Sequence, residues 1–187
     1  MFRQANLTAF ADIVDAIRSH ILSSNPQKRR LRCLELYGGV GTIGLHLADL
    51  CHSLVCSDEN PYNKSCFEAS AATLKQQLQQ QNGNDVPSIR YEPKSAAQMV
   101  ASGALQETDL VIVDPPRKGL EASVSAALAT AGIGPQQLIY VSCGFDAFQR
   151  DYQILCHGGQ WRLQHAQGHV LFPGSNAIET LAFFVRP

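Results

Sequence analysis

Arg32-Cys33-Leu34-Glu35-Leu36-Tyr37-Gly38-Gly39-Val40-Gly41-Thr42 decides how this chain is read. It starts as a short apolar run of strand length, meets glycine at 38, 39 and 41, and continues from Thr42 to Leu50 with helical character. A strand that breaks on a glycine turn into a helix is the opening half of a βαβ unit. Glycine supports positive φ, and its missing Cβ lets a ligand approach the main chain. The spacing is G-G-x-G, not the G-x-G-x-x-G of dinucleotide binders.

Upstream, apolar residues at Leu7, Phe10, Ala11, Val14, Ile17, Ile21 and Leu22 recur at helical spacing and predict a helix over residues 7–23, followed by the basic loop Lys28-Arg29-Arg30. Downstream, strands are predicted at 53–57, 88–92, 109–113, 137–142, 161–166 and 179–186. Helices are predicted at 63–81, 96–104, 122–131 and 148–156. The glutamine-rich stretch 77–85 reads as a polar loop. Strands alternate with helices, and the inner strands are continuous apolar runs. That pattern belongs to an α/β fold, a mostly parallel sheet with helices on both faces. Ligands of such sheets bind beyond the carboxyl ends of the strands. Unusual residues gather at those ends: Tyr37-Gly38-Gly39, Asp58-Glu59, Asp114-Pro115-Pro116 and Ser142-Cys143-Gly144.

The chain has 187 residues, 45% of them hydrophobic and 17% charged, with a net charge of −1. This excludes a disordered polyelectrolyte and a bulk polycation. One domain is expected, with residues 1–30 as a leading helix and basic loop and 31–187 as the core. Six cysteines include no C-x-x-C pair, so neither a metal site nor a disulfide framework is expected. The reading is a monomer in a reducing intracellular compartment, with no membrane-spanning run and no secretory leader.

Four segments carry groups suited to chemistry. Asp58, at the end of the second strand, can accept hydrogen bonds from ribose hydroxyls, which with the glycine turn points to an adenosine-containing cofactor. In Asp114-Pro115-Pro116-Arg117-Lys118-Gly119 two prolines stiffen the backbone and remove two N–H donors, leaving Asp114 at the crevice. Cys143 stands at a strand end beside a glycine, across the crevice from Asp114, whereas Cys33 and Cys156 fit inert packing. Glu179 heads the apolar run Thr180-Leu181-Ala182-Phe183-Phe184-Val185, where a carboxylate beside a nucleophile could act as a general base.

Together these segments resemble the RNA 5-methyluridine methyltransferases of the TrmA/RumA type, over nearly the whole chain and in the family's motif order. Phe2-Arg3-Gln4-Ala5-Asn6 is similar to F-x-Q-x-N, Leu36–Thr42 to L-Y-C-G-V-G-T, Asp114–Gly119 to D-P-P-R-x-G, and Tyr140-Val141-Ser142-Cys143 to Y-x-S-C. Phe172-Pro173, Ser175 and Ile178-Glu179-Thr180 are similar to the motif that ends in the family's base. The resemblance implies a Rossmann-like methyltransferase fold, S-adenosyl-L-methionine as cofactor and an RNA substrate, tRNA or rRNA. It implies cofactor contacts at Gln4, Tyr37, Gly38, Gly41, Thr42, Asp58 and Asp114, and substrate contacts at Pro115, Pro116 and Arg117. It implies Cys143 as the nucleophile that adds to C6 of uracil, and Glu179 as the base that removes the C5 proton.

The chain departs from the family where Gly144, Ala147 and Ala177 replace its Asn, Thr and His, and where Ser95 replaces an acid after the third strand. The family's N-terminal RNA-binding domains are expected to be absent from this chain. Two alternatives stay open at this level. One is methylation of an exocyclic amine or another nucleobase atom by the D-P-P turn. The other is a non-catalytic cofactor-binding RNA module. Lys28, Arg29, Arg30, Arg117 and Lys118 are the visible basic clusters for RNA.

Overall fold

The computed structural model describes residues 6–130, 134–171, 174 and 178–187. Expected roles at Gln4 and at the 172–177 motif therefore lie outside the described residues, apart from Gly174.

The elements run α1 (Leu7–Ser24), β1 (Leu31–Leu36), α2 (Thr42–His46), β2 (Cys51–Ser57), α3 (Asn63–Asn82), β3 (Ser88–Glu92), α4 (Ala96–Ala101), β4 (Leu110–Val113), α5 (Ala122–Ala129), β5 (Gln137–Ser142), α6 (Phe145–Cys156), β6 (Arg162–His169) and β7 (Glu179–Val185). The strands form one sheet in the order β3-β2-β1-β4-β5-β7-β6. The first five are parallel; β7 runs antiparallel between β5 and β6. This is the expected α/β architecture, a mostly parallel sheet with helices on both faces.

Alternation along each strand divides the core into two layers. Cys33, Ile112, Ile139, Val141, Leu181 and Phe183 pack with α1, α2 and α3 on one face. Leu34, Leu36, Val113, Tyr140, Ala182 and Phe184 pack with α4, α5 and α6 on the other. In α1 the stripe Ile13, Ile17, Ile21 is fully buried, and Asn6 caps the helix by accepting from the Ala9 N–H at 3.1 Å. The apolar run of β7 suits an interior strand, and the polar, largely exposed β6 suits an edge.

The helix expected over 63–81 is found: α3 runs to Asn82 through the glutamines, because Gln is a good helix former, and stops at Gly83 with φ +64°, so the polar loop expected over 77–85 is confined to the residues from Gly83 on. One sequence expectation is corrected. The helix expected over 42–50 ends at His46, and a 3₁₀ turn covers Ala48–Leu50. Arg18 of α1 clamps this break by donating to both Asp49 carboxylate oxygens at 2.7 Å and to the His46 carbonyl.

Candidate active site

Every parallel strand ends on the same edge of the sheet, so the turns after β1, β2, β4 and β5 converge there. A crevice of about 350 Å³ opens between the first three turns, lined by Tyr37, Asp58, Asn60, Ser95, Asp114 and Pro115 among others.

The glycine turn is shaped from within. Tyr37 adopts φ +59°, Gly39 +55° and Gly41 +77°. A Cβ on Gly38 would stand 2.5 Å from the Cys56 sulfur and 2.9 Å from the Glu35 carboxyl carbon; one on Gly41 would strike the Phe67 ring. Only a Cβ on Gly39 would meet open space. Gly38 and Gly41 thus let the turn pack on β2 and α3. Thr42 is exposed at the start of α2.

Asp58 fastens the turn to the next strand. Its Oδ2 accepts from the Gly39 N–H at 3.1 Å, and its Oδ1 accepts from the Asn60 N–H at 2.9 Å and Asn63 Nδ2 at 3.2 Å. Tyr37 donates its hydroxyl to Glu121 at 3.4 Å. Ser95, in place of the family's acid, lines the crevice and caps α4 in a reciprocal pair with Gln98. Glu35, behind the turn, is 1% exposed. One of its oxygens accepts from the Gly44 N–H at 3.2 Å; the other has no hydrogen-bond partner among the described residues. Burial pushes its carboxyl up to about 7.

The Asp-Pro-Pro turn is held from outside, by residues the sequence did not flag. Asp151 of α6 is completely buried. Its Oδ2 accepts from the Leu120 N–H and the Tyr140 hydroxyl, both at 2.7 Å. Arg150 donates to the Lys118 carbonyl at 2.8 Å and pairs with Asp151. Gly144 lies against the same turn: a Cβ there would stand 2.6 Å from the Arg117 carbonyl oxygen. The family's Asn at this position would not fit without a backbone shift.

Cys143 follows Ser142 and Glu179 precedes Thr180. Ser142 and Thr180 are paired across β5 and β7, so the thiol and the carboxylate meet at the end of that ladder. Glu179 is only 9% exposed, and burial pushes its carboxyl up to about 7. Burial, then the neighbouring Glu179 and Glu35 carboxylates, push Asp114 up to about 8. The Cys143 thiol is held above its ordinary value by burial, then by Glu179 and Asp114, with Arg117 pulling the other way. The structure thus brings Asp114, Arg117, Cys143 and Glu179 together. No hydrogen bond from a described residue reaches the Asp114 or Glu179 carboxylate. Pro115 lies buried in the crevice wall and Pro116 is exposed on it.

The basic loop Lys28-Arg29-Arg30 is not part of this site. It enters β1 at the opposite edge of the sheet, where Arg29 and Arg32 pair with Asp109 at 3.1 and 3.0 Å, and Arg30 with Asp85 at 2.7 Å. Of the expected cationic contacts only Arg117 and Lys118 stand near the crevice. Among the described residues no cluster of three or more metal-ligating side chains forms, and no helix is long and apolar enough to cross a membrane.

Known proteins share both sequence and shape with this chain. An uncharacterised RNA methyltransferase of Protochlamydia amoebophila is 36% identical over 99% of this chain, which spans 44% of that relative's length. A Haemophilus ducreyi protein named as a candidate 23S rRNA (uracil(747)-C(5))-methyltransferase RlmC is 28% identical over 81% of this chain and 67% of its own. The solved structure of the Pyrococcus abyssi tRNA (uracil-54, C5)-methyltransferase with S-adenosyl-L-homocysteine superposes with a TM-score of 0.76. It is 24% identical and covers 98% of this chain and 40% of that one. No family model matches the chain.

Proposed function

We propose that this relative of the RNA 5-methyluridine methyltransferases is the catalytic domain of an enzyme that methylates C5 of uridine in RNA, with S-adenosyl-L-methionine as methyl donor. The observation that carries the reading is the meeting of Cys143 and Glu179 across the ends of two strands, beside Asp114 of the Asp-Pro-Pro turn. The names of the relatives support the RNA and methyl-transfer parts. The share of their length that the chain spans supports further domains in the whole protein, where most phosphate contacts would lie.

The crevice fits the cofactor. Asp58 can accept from ribose hydroxyls while still tying the turn, Gly39 leaves the main chain open to the ligand, and Tyr37 and Ser95 border the remaining space. When bound, S-adenosyl-L-methionine supplies an electrophilic methyl group.

C5 of uracil is a weak nucleophile, and the chain's own groups would activate it. The Cys143 sulfur, as thiolate, forms a bond to C6, and the ring electrons move to an enolate that makes C5 nucleophilic. After C5 has gained its methyl group, the Glu179 carboxylate takes the C5 proton. The C5–C6 double bond re-forms and the thiolate leaves. Arg117 is the cation that favours the thiolate, against burial and two acids. Asp114, held largely protonated at neutral pH, can donate to a carbonyl of the base as well as accept. The target must be unpaired or flipped out of its helix to enter.

The test is covalent trapping on RNA. Fluorine at C5 cannot leave as a cation, so 5-fluorouridine RNA should stall on wild-type enzyme as an adduct stable on a denaturing gel. Cys143→Ala should form none, and should lose methyl transfer by several orders of magnitude while still binding cofactor. Glu179→Gln should accumulate a methylated adduct on ordinary RNA. The wild-type rate should rise with pH through about 7, as Glu179 ionises. Normal methylation by Cys143→Ala would refute the covalent route and favour methylation of an exocyclic amine.

A further inference from the structure

A second cavity, of about 460 Å³, adjoins Cys143 on the other face of the sheet. We propose that it holds a nucleobase flanking the target uridine, stacked on the ring of Phe145. This rests on the uridine reading above and adds a specificity-determining residue to it.

Strand alternation separates the cavity from the reaction centre. Its strand residues include Ala166, Gly168 and Thr180. Ala166 pairs with Ala182, which packs with α4, α5 and α6; Gly168 pairs with Thr180, two residues from Ala182 and so on the same face. Glu179 lies on the opposite face, in line with Leu181 and Phe183. A base bonded to Cys143 with its C5 proton toward Glu179 therefore cannot also fill this cavity. Cys143 is the point where the two meet, so whatever fills the cavity touches the strand that carries the target.

The lining selects a flat, amphipathic occupant. Phe145 is 56% exposed and Ile178 53%, unusual for large apolar side chains on a face built from α6 and β6. Phe148 closes the back, its ring centroid 6.3 Å from that of Phe145. Gly168 keeps the floor open: a Cβ there would come within 3.0 Å of Ile178. Thr180 brings a hydrogen-bonding group to a mostly apolar wall, while the Gln167 side chain is bonded to His165 and His169 on the opposite face. Single-stranded RNA is held in this way, its splayed bases stacked on aromatic rings and their edges met by polar groups. Arg117, exposed and near Cys143, stands where the connecting phosphate would pass.

The experiment measures binding of fluorescein-labelled decauridylate and decaadenylate to the 187-residue chain, as wild type and as Phe145→Ala, Phe145→Leu and Phe145→Tyr. Loss of the ring should weaken binding on the order of ten-fold. Tyr should match wild type, and Leu should be as weak as Ala. Equal affinity in all four proteins overturns the proposal, as does the absence of saturable binding. Full binding by Leu also overturns it, since an apolar segment of protein then becomes the better occupant. Trapping on 5-fluorouridine RNA with an abasic neighbour separates this proposal from the chemistry. The gap should slow adduct formation by wild type and add nothing to the defect of Phe145→Ala. If no RNA is trapped but binding still depends on the ring, the uridine chemistry fails and the stacking site stands. If trapping by Phe145→Ala is unimpaired, the reverse holds.

Discussion

The two turns that wall the crevice leave their strands at the same level yet are stabilised in opposite ways. The glycine turn after β1 is held by its own neighbourhood: three positive-φ residues, two glycines packed on Cys56 and Phe67, and Asp58 tying it to β2. The Asp-Pro-Pro turn after β4 is stiffened by its prolines and anchored from α6, about thirty residues on, by Asp151 and Arg150. The first turn is therefore vulnerable to changes inside its motif. The second is vulnerable to changes in a helix that carries no motif.

The largest expected effect tests the second half of this contrast. Asp151→Ala leaves the Leu120 N–H and the Tyr140 hydroxyl unpaired in the core and should cost about 3–5 kcal/mol in denaturant unfolding. Amide exchange at Leu120 should quicken more than at Gly39. A loss under about 1 kcal/mol would mean that the prolines alone hold the turn.

The next tests the cost of packing the first turn so tightly. Glu35 has a folded-state pKa of about 7 against an ordinary 4.5. A raised value means that the folded protein holds the proton more tightly than the unfolded chain. The stability this gives is complete below about pH 4.5 and is lost as pH climbs to about 7. Wild type should lose about 3 kcal/mol across that window relative to Glu35→Gln, which has no proton to release. Parallel stability curves for the two proteins would show that the carboxyl is not held protonated.

The smallest effect concerns the tie between strands. Asp58→Ala removes three hydrogen bonds from the crevice wall and should weaken cofactor binding by about 1–3 kcal/mol in calorimetry, with little change in folding. Unchanged affinity would show that the glycine turn keeps its shape unaided and that Asp58 does not meet the ribose.

Much of this contrast was legible in the sequence. The alternation of strands and helices, the glycine turn and Asp58 depend on neighbours close in the chain or on a period repeated within one element. Asp151 was not legible, because nothing in Arg150-Asp151-Tyr152 distinguishes a buried anchor from a helix-surface charge. Lys28-Arg29-Arg30 was ambiguous for the same reason. A basic run reads alike whether it meets phosphate or, as here, Asp109 and Asp85 at the far edge of the sheet. Gly144 read as a loss from the family pattern, and the packing gives it a steric reason against the Arg117 carbonyl.

The sequence by itself determined the element types, the two-faced sheet and the strand ends at which reactive residues gather. Period, turn chemistry and burial follow from residue types a few positions apart. Only the tertiary structure decided that β7 enters antiparallel between β5 and β6. That single choice carries Glu179 to Cys143 and turns Thr180 toward the second cavity. Strand order is set by which apolar faces can be buried together across the whole sheet, a sum over distant residues that no local pattern contains.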